Sequence, residues 1–400
     1  MRERWKKDAA LFLASQILSL FGSTLVQYAI MWYITLNTKS GLMMTVSIIC
    51  GFLPTFFLSP FAGVWADRYD RKLLIMLSDA FIAATTLLAA LMFYGGHGSL
   101  CLLFAMSVFR AIGTGVQMPA VGAFLPQIVP GEQLTRVNGI NGSLQAAVTL
   151  ASPMLSGALM TVATIEAIFF IDVATAAAAI LVLLLFLRVP SHGIARTSQQ
   201  LSYFRDLSDG FVYIRGHSFL GKFLLFNAVF LFLVAPAAFL TPLQVARTFG
   251  GEVWRLTAIE VAFSLGMMLG GAVIAAWGGF KNKVHTITFA AFCNSVGVLA
   301  LGAASLFWLY LLIMFIIGIM MPLFNVPATV LLQEKVEANF IGRVFGVQSM
   351  LASSTMPLGM LVFGPVADVV RIEWLLIGTG FLMFLQSFFL LGKDIVAVGE

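Results

Sequence analysis

Four ionisable side chains, Arg110, Asp172, Asp79 and Glu260, stand inside long apolar stretches of this 400-residue chain. A helix that crosses hydrocarbon must satisfy its polar groups within the protein, so charged residues at that depth are costly and mark ion or substrate paths. Arg110 lies about eleven residues into its apolar segment, near mid-depth. A guanidinium beside a carboxylate favours the ionised form, so tightening or loosening such a pair moves a proton. Asp172 and Glu260 each lie one to two turns from a span end, and Asp79 two turns into another, which makes all three proton-coupling candidates beside Arg110. The competing reading is a fixed charge pair that only sets packing for Arg110, and snorkelling to the interface for the two acids.

A denser polar group, Gly63-Val64-Trp65-Ala66-Asp67-Arg68-Tyr69-Asp70-Arg71-Lys72, separates apolar segments 48–66 and 73–94. Each is long enough to cross a hydrocarbon core of about 30 Å as helix. The loop therefore sits at a membrane face. Basic residues there serve topology, whereas Asp67 and Asp70 are not explained by it, because acids contribute little to orientation.

Composition sets the elements that position these groups. Hydrophobic residues make up 60% of the chain and charged residues 10%, which excludes a soluble fold. Hydropathy gives twelve spans between residues 9 and 392. Of the 23 Lys and Arg, eighteen fall on one side if the N-terminus is cytoplasmic, four on the other, and Arg110 within a span. Both termini are therefore expected in the cytoplasm, and the net charge of +5 reads as topology rather than a nucleic-acid footprint. Cys50, Cys101 and Cys293 stand singly and the four histidines lack ligand spacing, so no metal is expected. No cofactor is expected either. No G-x-x-x-x-G-K-[ST] loop is present, so a gradient rather than ATP is the expected energy source.

The apolar pattern breaks at 189–220, dividing the chain into an N-terminal bundle (1–188), a linker with an amphipathic helix able to lie on the membrane surface, and a C-terminal bundle (221–400). Arg136-Val137-x-Gly139 recurs as Arg343-Val344-x-Gly346, and Gly157 as Gly364, both at an offset of 207. Gly63 maps by that offset to Gly270, and Pro119 lies within one position of matching Pro327. A duplication explains the shared offset across separate regions.

The spacing G-x-x-x-D-R-x-x-R-K resembles the loop between helices two and three of the major facilitator superfamily, with Asp70 where the usual pattern has a second glycine. The D-R-x-D-R-K variant resembles the macrolide-efflux and enterobactin-exporter branch. The resemblance implies an all-α integral membrane fold, twelve transmembrane helices in two pseudo-symmetric six-helix bundles, with substrate near the midplane and alternating access. It also implies a conformational latch of Gly63, Asp67, Arg68, Asp70, Arg71 and Lys72, in which Asp67 engages the start of helix eleven near Arg343. Arg110 followed by Gly113 and Gly115 resembles the fourth-helix motif of proton-coupled exporters. Asn138, Asn141, Gln145 and Thr149 followed by Ser152-Pro153 and Gly157 resemble the antiporter motif of helix five. Gly266-x-x-x-Gly270 would supply a small-residue face for the fifth and eighth spans to approach.

Substrate-binding candidates are the amides and hydroxyls at inward helical spacing: Gln16, Ser23, Gln27, Asn141, Gln145, Asn227, Asn325 and Gln348, with Glu260. With 37 Phe and 19 Met, an apolar, adaptable cavity suits a bulky amphipathic ligand. The expected function is a secondary active transporter, not an enzyme, exporting hydrophobic or amphipathic small molecules, macrolide-like drugs foremost, by proton antiport. A siderophore exporter or lysophospholipid flippase of the same fold is the alternative, and a membrane receptor or assembly protein a distant third. Expected partners are that substrate, protons and membrane lipid, with no nucleic acid; the resemblance implies a monomer in a bacterial-type inner membrane.

Overall fold

The structure is a computed structural model that describes residues 4–187, 203–337 and 339–392. Among the described residues, twelve helical segments are long and apolar enough to cross a membrane. The first six are α1 (Arg4–Thr38), α2 (Gly41–Arg68), α3 (Arg71–Tyr94), α4 (Leu100–Ile128), α5 (Gly131–Val162) and α6 (Ile165–Phe186). The amphipathic α7 (Tyr203–Gly216) precedes α8 (Ser218–Phe239), α9 (Thr241–Thr248), α10 (Val253–Trp277), α11 (Lys283–Ala303), α12 (Phe307–Lys335), α13 (Ile341–Val369) and α14 (Ile372–Ser387).

Local chemistry explains how such apolar helices begin and keep their polar groups paired. Asp70, Ser99 and Asn282 cap α3, α4 and α11, each side-chain oxygen accepting a backbone N–H of the first turn. Within the spans, hydroxyls donate to carbonyls one turn back, as Thr24 does to Leu20, Thr35 to Met31 and Thr114 to Arg110. No water is needed to satisfy them.

The seventh span is formed by two helices, α8 and α9, rather than one. It breaks between α8 and α9 at Leu240, with Pro236 in the last turn of α8 and Pro242 in the first turn of α9. Gln244 secures the break from within the fold: its amide donates to the Leu301 carbonyl at 3.1 Å and accepts the Tyr310 hydroxyl at 2.8 Å. The twelfth span likewise ends in a 3-10 turn, Phe388–Leu391.

The chain divides into two compact units, one of Met1–Asn37 with Val46–Gln199 and one of Thr38–Thr45 with Gln200–Glu400. In unit 1, α3 packs against α4 and α6. Phe12, Ile75, Phe124 and Leu183 close one end of its core, with the Phe12 and Phe124 rings 4.9 Å apart. In unit 2, α11 packs against α12 and α14, and α13 against α8.

The linker helix α7 belongs to unit 2 and docks on α13. Gly210 approaches the Arg343 backbone, Ile214 is buried, and the Tyr213 ring stacks on Phe340 at 4.3 Å. Phe211 and Val212 are exposed.

The Gly266-x-x-x-Gly270 face also finds its partner inside unit 2. A Cβ at Gly266 or Gly270 would collide with the carbonyls of Phe315 or Ile319 on α12, and one at Gly318 with Phe263 on α10. Backbone meets backbone, which only small residues allow. Within unit 2 the partner of this face is α12, which supplies Gly318.

Candidate functional site

Unit 1 carries a buried polar column in two tiers. In the first, Arg110 on α4 forms an ion pair with Asp172 on α6, and the side chains are only 11% and 1% exposed. Thr86 of α3 stands between them. Its hydroxyl accepts from Arg110 and shares its own proton between Asp172 Oδ2 at 3.2 Å and the Ile82 carbonyl at 2.9 Å. Arg110 also donates to the Ser23 carbonyl of α1 at 3.4 Å. Gly22 makes room for this tier, since a Cβ there would stand 2.7 Å from Asp172 Oδ1. Gly113 does the same beside Ile82, where a Cβ would come within 2.5 Å of the side chain.

The second tier lies seven residues away on both α3 and α4, about 10 Å along each helix. Asp79, 1% exposed, accepts from Ser19 Oγ at 2.7 Å and from Gln117 Nε2 at 2.6 Å, both at Oδ1. Its Oδ2 has no partner among the described residues, and neither has Oδ1 of Asp172. Such orphaned oxygens in apolar surroundings are costly and sit where a proton or ligand can be taken up. Sequence spacing singled out Arg110, Asp172 and Asp79 but missed Ser19, Thr86 and Gln117. The available signal was the shared interval: Thr86 follows Asp79, and Gln117 follows Arg110, by two helical turns.

The charged loop after α2 finishes helix ends inside unit 1. Arg71 donates to the carbonyls of Ala66 on α2 and Ala123 on α4, both at 2.9 Å, and Lys72 to the Leu187 carbonyl just beyond α6 at 2.7 Å. Cations placed on the carbonyl ends of helices offset unpaired acceptors and the dipole together. Asp70 caps α3 through the Leu73 N–H at 3.1 Å. Arg68 is exposed, Gly63 borders open space, and the Asp67 side chain lies outside the described residues. Arg343, in unit 2, pairs with Asp209 of α7 at 3.6 Å and lies over the Phe340 ring.

Unit 2 holds a second charged cluster that the sequence did not suggest. Asp368, in the last turn of α13, accepts from the Gly41 and Leu42 N–H groups at 2.7 and 3.0 Å and from Ser40 Oγ at 2.7 Å, capping the start of α2. Arg247 of α9 donates to Asp368 at 2.8 Å, to the Ala367 carbonyl at 2.6 Å and to the Lys39 carbonyl at 3.1 Å. Lys39 adopts a φ of 48°, a left-handed conformation unfavourable for a side chain with a Cβ. The Arg247 contact helps hold it there. Asp368→Ala removes the cap and is expected to lower stability by about 1 kcal/mol, read as a reduced thermal midpoint in detergent; an unchanged midpoint would contradict the cap.

The remaining candidates belong to several helices of each unit. Glu260 is half-buried on α10 of unit 2. Gln16, Asn141, Asn227 and Gln348 are half-buried, whereas Gln27, Gln145 and Asn325 are exposed. Gln16 Nε2 and Gln348 Oε1 are buried without partners among the described residues, while Asn227 donates to the Phe223 carbonyl at 3.2 Å. Ser23 alone of this set reaches the Arg110 tier, through its carbonyl. No cluster with metal-ligand character occurs among the described residues.

Comparison with known proteins agrees with this architecture. The chain is 29% identical over 376 residues to macrolide efflux protein A of Streptococcus pyogenes, covering 93% of each. It is 29% identical over 323 residues to macrolide efflux protein A of Enterococcus faecalis, covering 80% of this chain and 99% of that one. The multidrug efflux pump Tap of Mycobacterium bovis is 21% identical over 387 residues, covering 92% and 89%. Among solved structures, a point mutant of the nucleoside transporter NupG superposes with a TM-score of 0.73 at 14% identity over 98% of this chain and all of that one. A bacterial homologue of the iron transporter ferroportin in an inward-facing state gives 0.71 at 14%, covering 95% and 98%. The family model described as Major Facilitator Superfamily matches residues 12–360, and with twelve membrane-length apolar helices around it the chain belongs to that superfamily of multi-pass membrane transporters.

Proposed function

We propose that the protein exports hydrophobic or amphipathic small molecules of the macrolide type across the cytoplasmic membrane, driven by inward proton flow. The observation that carries the cargo class is the likeness to macrolide efflux protein A, which extends over 93% of both chains rather than over one motif. Proton coupling draws its support from the buried column of unit 1. There a guanidinium, two carboxylates and a hydroxyl sit in apolar surroundings, with two carboxylate oxygens unpartnered among the described residues. A site that only held helices together would gain more from apolar packing, because desolvating such ions costs several kcal/mol each. Its placement fits alternating access, in which exchange of a proton for cargo alters the charge buried between helices.

The test is export in bacterial cells deleted for their own drug pumps. Expression is expected to raise the inhibitory concentration of erythromycin at least fourfold and to lower its cellular content, both reversed by a protonophore. Unchanged susceptibility across macrolides, with the protein present in the membrane, would overturn the cargo assignment.

A further inference from the structure

Asp79 and Asp172 are both buried carboxylates of unit 1, yet their surroundings differ in kind. Asp172 has Arg110 as a counter-ion and Thr86 at hydrogen-bond distance. Asp79 has two neutral donors, Ser19 and Gln117, crowded on one oxygen, and a second oxygen without a partner among the described residues. Among the described residues no basic side chain forms an ion pair with it.

The charged groups on the elements packed around this point are few. On α4 the charged residue is Arg110, which pairs with the Asp172 carboxylate of α6. The neighbouring part of α1 presents the Ser19 hydroxyl, while its Lys6, Lys7 and Asp8, like Glu166 of α6, stand in the first turns of their helices. With both neutral donors on Oδ1, Oδ2 of Asp79 is the carboxylate oxygen open to a proton.

Resting on the antiport reading above, we infer that Asp79 is the group that takes up and releases the transported proton at Oδ2, beside an Asp172 carboxylate already engaged by Arg110. Ser19 and Gln117 hold the carboxylate by Oδ1, which leaves Oδ2 as the exchanging atom. In the proton-loaded state the O–H bond forms at Oδ2 and the carboxyl is neutral; on release the electron pair stays on Asp79. No other bond changes.

The assignment is tested on the full-length protein in lipid, without substrate, by infrared difference spectra between acid and alkaline buffer. Wild type is expected to show a protonated-carboxyl band that titrates. Asp79→Asn is expected to remove that band, and Asp172→Asn to retain it. In vesicles, Asp79→Asn is also expected to lose accumulation driven by a pH gradient while keeping downhill erythromycin flux. Should Asp79→Asn fail to fold, Ser19→Ala keeps the carboxylate and removes one donor, and is expected to move the midpoint of the band by about one pH unit. A band that survives Asp79→Asn, or a midpoint unmoved in Ser19→Ala, overturns the assignment and leaves antiport standing. A titrating Asp79 band in a wild-type protein that ignores the pH gradient overturns the antiport reading instead.

Discussion

Arg110→Ala is expected to stop transport and to lower stability by roughly 3–5 kcal/mol, the usual cost of stranding one member of a buried ion pair. The magnitude follows from the site. Asp172 is 1% exposed, its Oδ1 lacks a partner among the described residues, and Thr86 cannot replace a guanidinium's charge. Adding Asp172→Ala to Arg110→Ala removes the stranded charge and is expected to recover most of the stability without recovering transport. Denaturation midpoints in detergent, set beside erythromycin uptake in vesicles, separate the two effects. If the double variant transports normally, the pair serves packing alone.

Gly270→Leu has the second large expected effect, because the added side chain meets backbone rather than a movable side chain. A Cβ there collides with the carbonyl of Ile319, and α10 would have to move away from α12. Overpacking a well-filled core usually costs about 1–3 kcal/mol, and the immobile carbonyl places this variant at about 3 kcal/mol. Gly271→Leu is the internal control, since a Cβ at Gly271 meets nothing within 4 Å. The expected result is low yield and aggregation on size exclusion for the first variant and a normal profile for the second. Equal behaviour of the two would contradict the close approach of α10 and α12.

The fold was largely legible in the sequence because hydrocarbon thickness sets helix length, and uninterrupted apolar runs report it directly. What escaped was detail within such runs. The seventh span stays apolar through Leu240, so hydropathy gave no sign of the break that Pro236, Pro242 and the buried Gln244 network create. Small-residue faces were visible, but their partners were not: Gly266 and Gly270 meet α12, and composition says that something packs closely and not what.

The same limit governed the site. Arg110 and Asp172 stood out as intramembrane charges, yet 62 residues separate them in sequence, and their pairing depends on how α4 and α6 pack around α3. Ser19, Thr86 and Gln117 are ordinary residues for a transmembrane helix and gain meaning only from the carboxylates they face. In the charged loop, Arg71 and Lys72 were explicable as topology signals. Their contacts give them a second task at helix ends, one that pattern recognition in a single loop cannot reveal because the carbonyls belong to helices far along the chain. The Asp368 cap shows this most plainly, joining residues 327 apart.

The most direct measurement of proton-coupled export is substrate accumulation by purified protein in liposomes with an imposed ion gradient. An acidic lumen is expected to drive erythromycin inward several-fold beyond protein-free liposomes and beyond the Arg110→Ala variant, controls that remove passive trapping of a weak base. The accumulation should collapse with a protonophore and ignore a sodium gradient. Accumulation that follows sodium and is indifferent to pH, or that never exceeds protein-free liposomes, would contradict it.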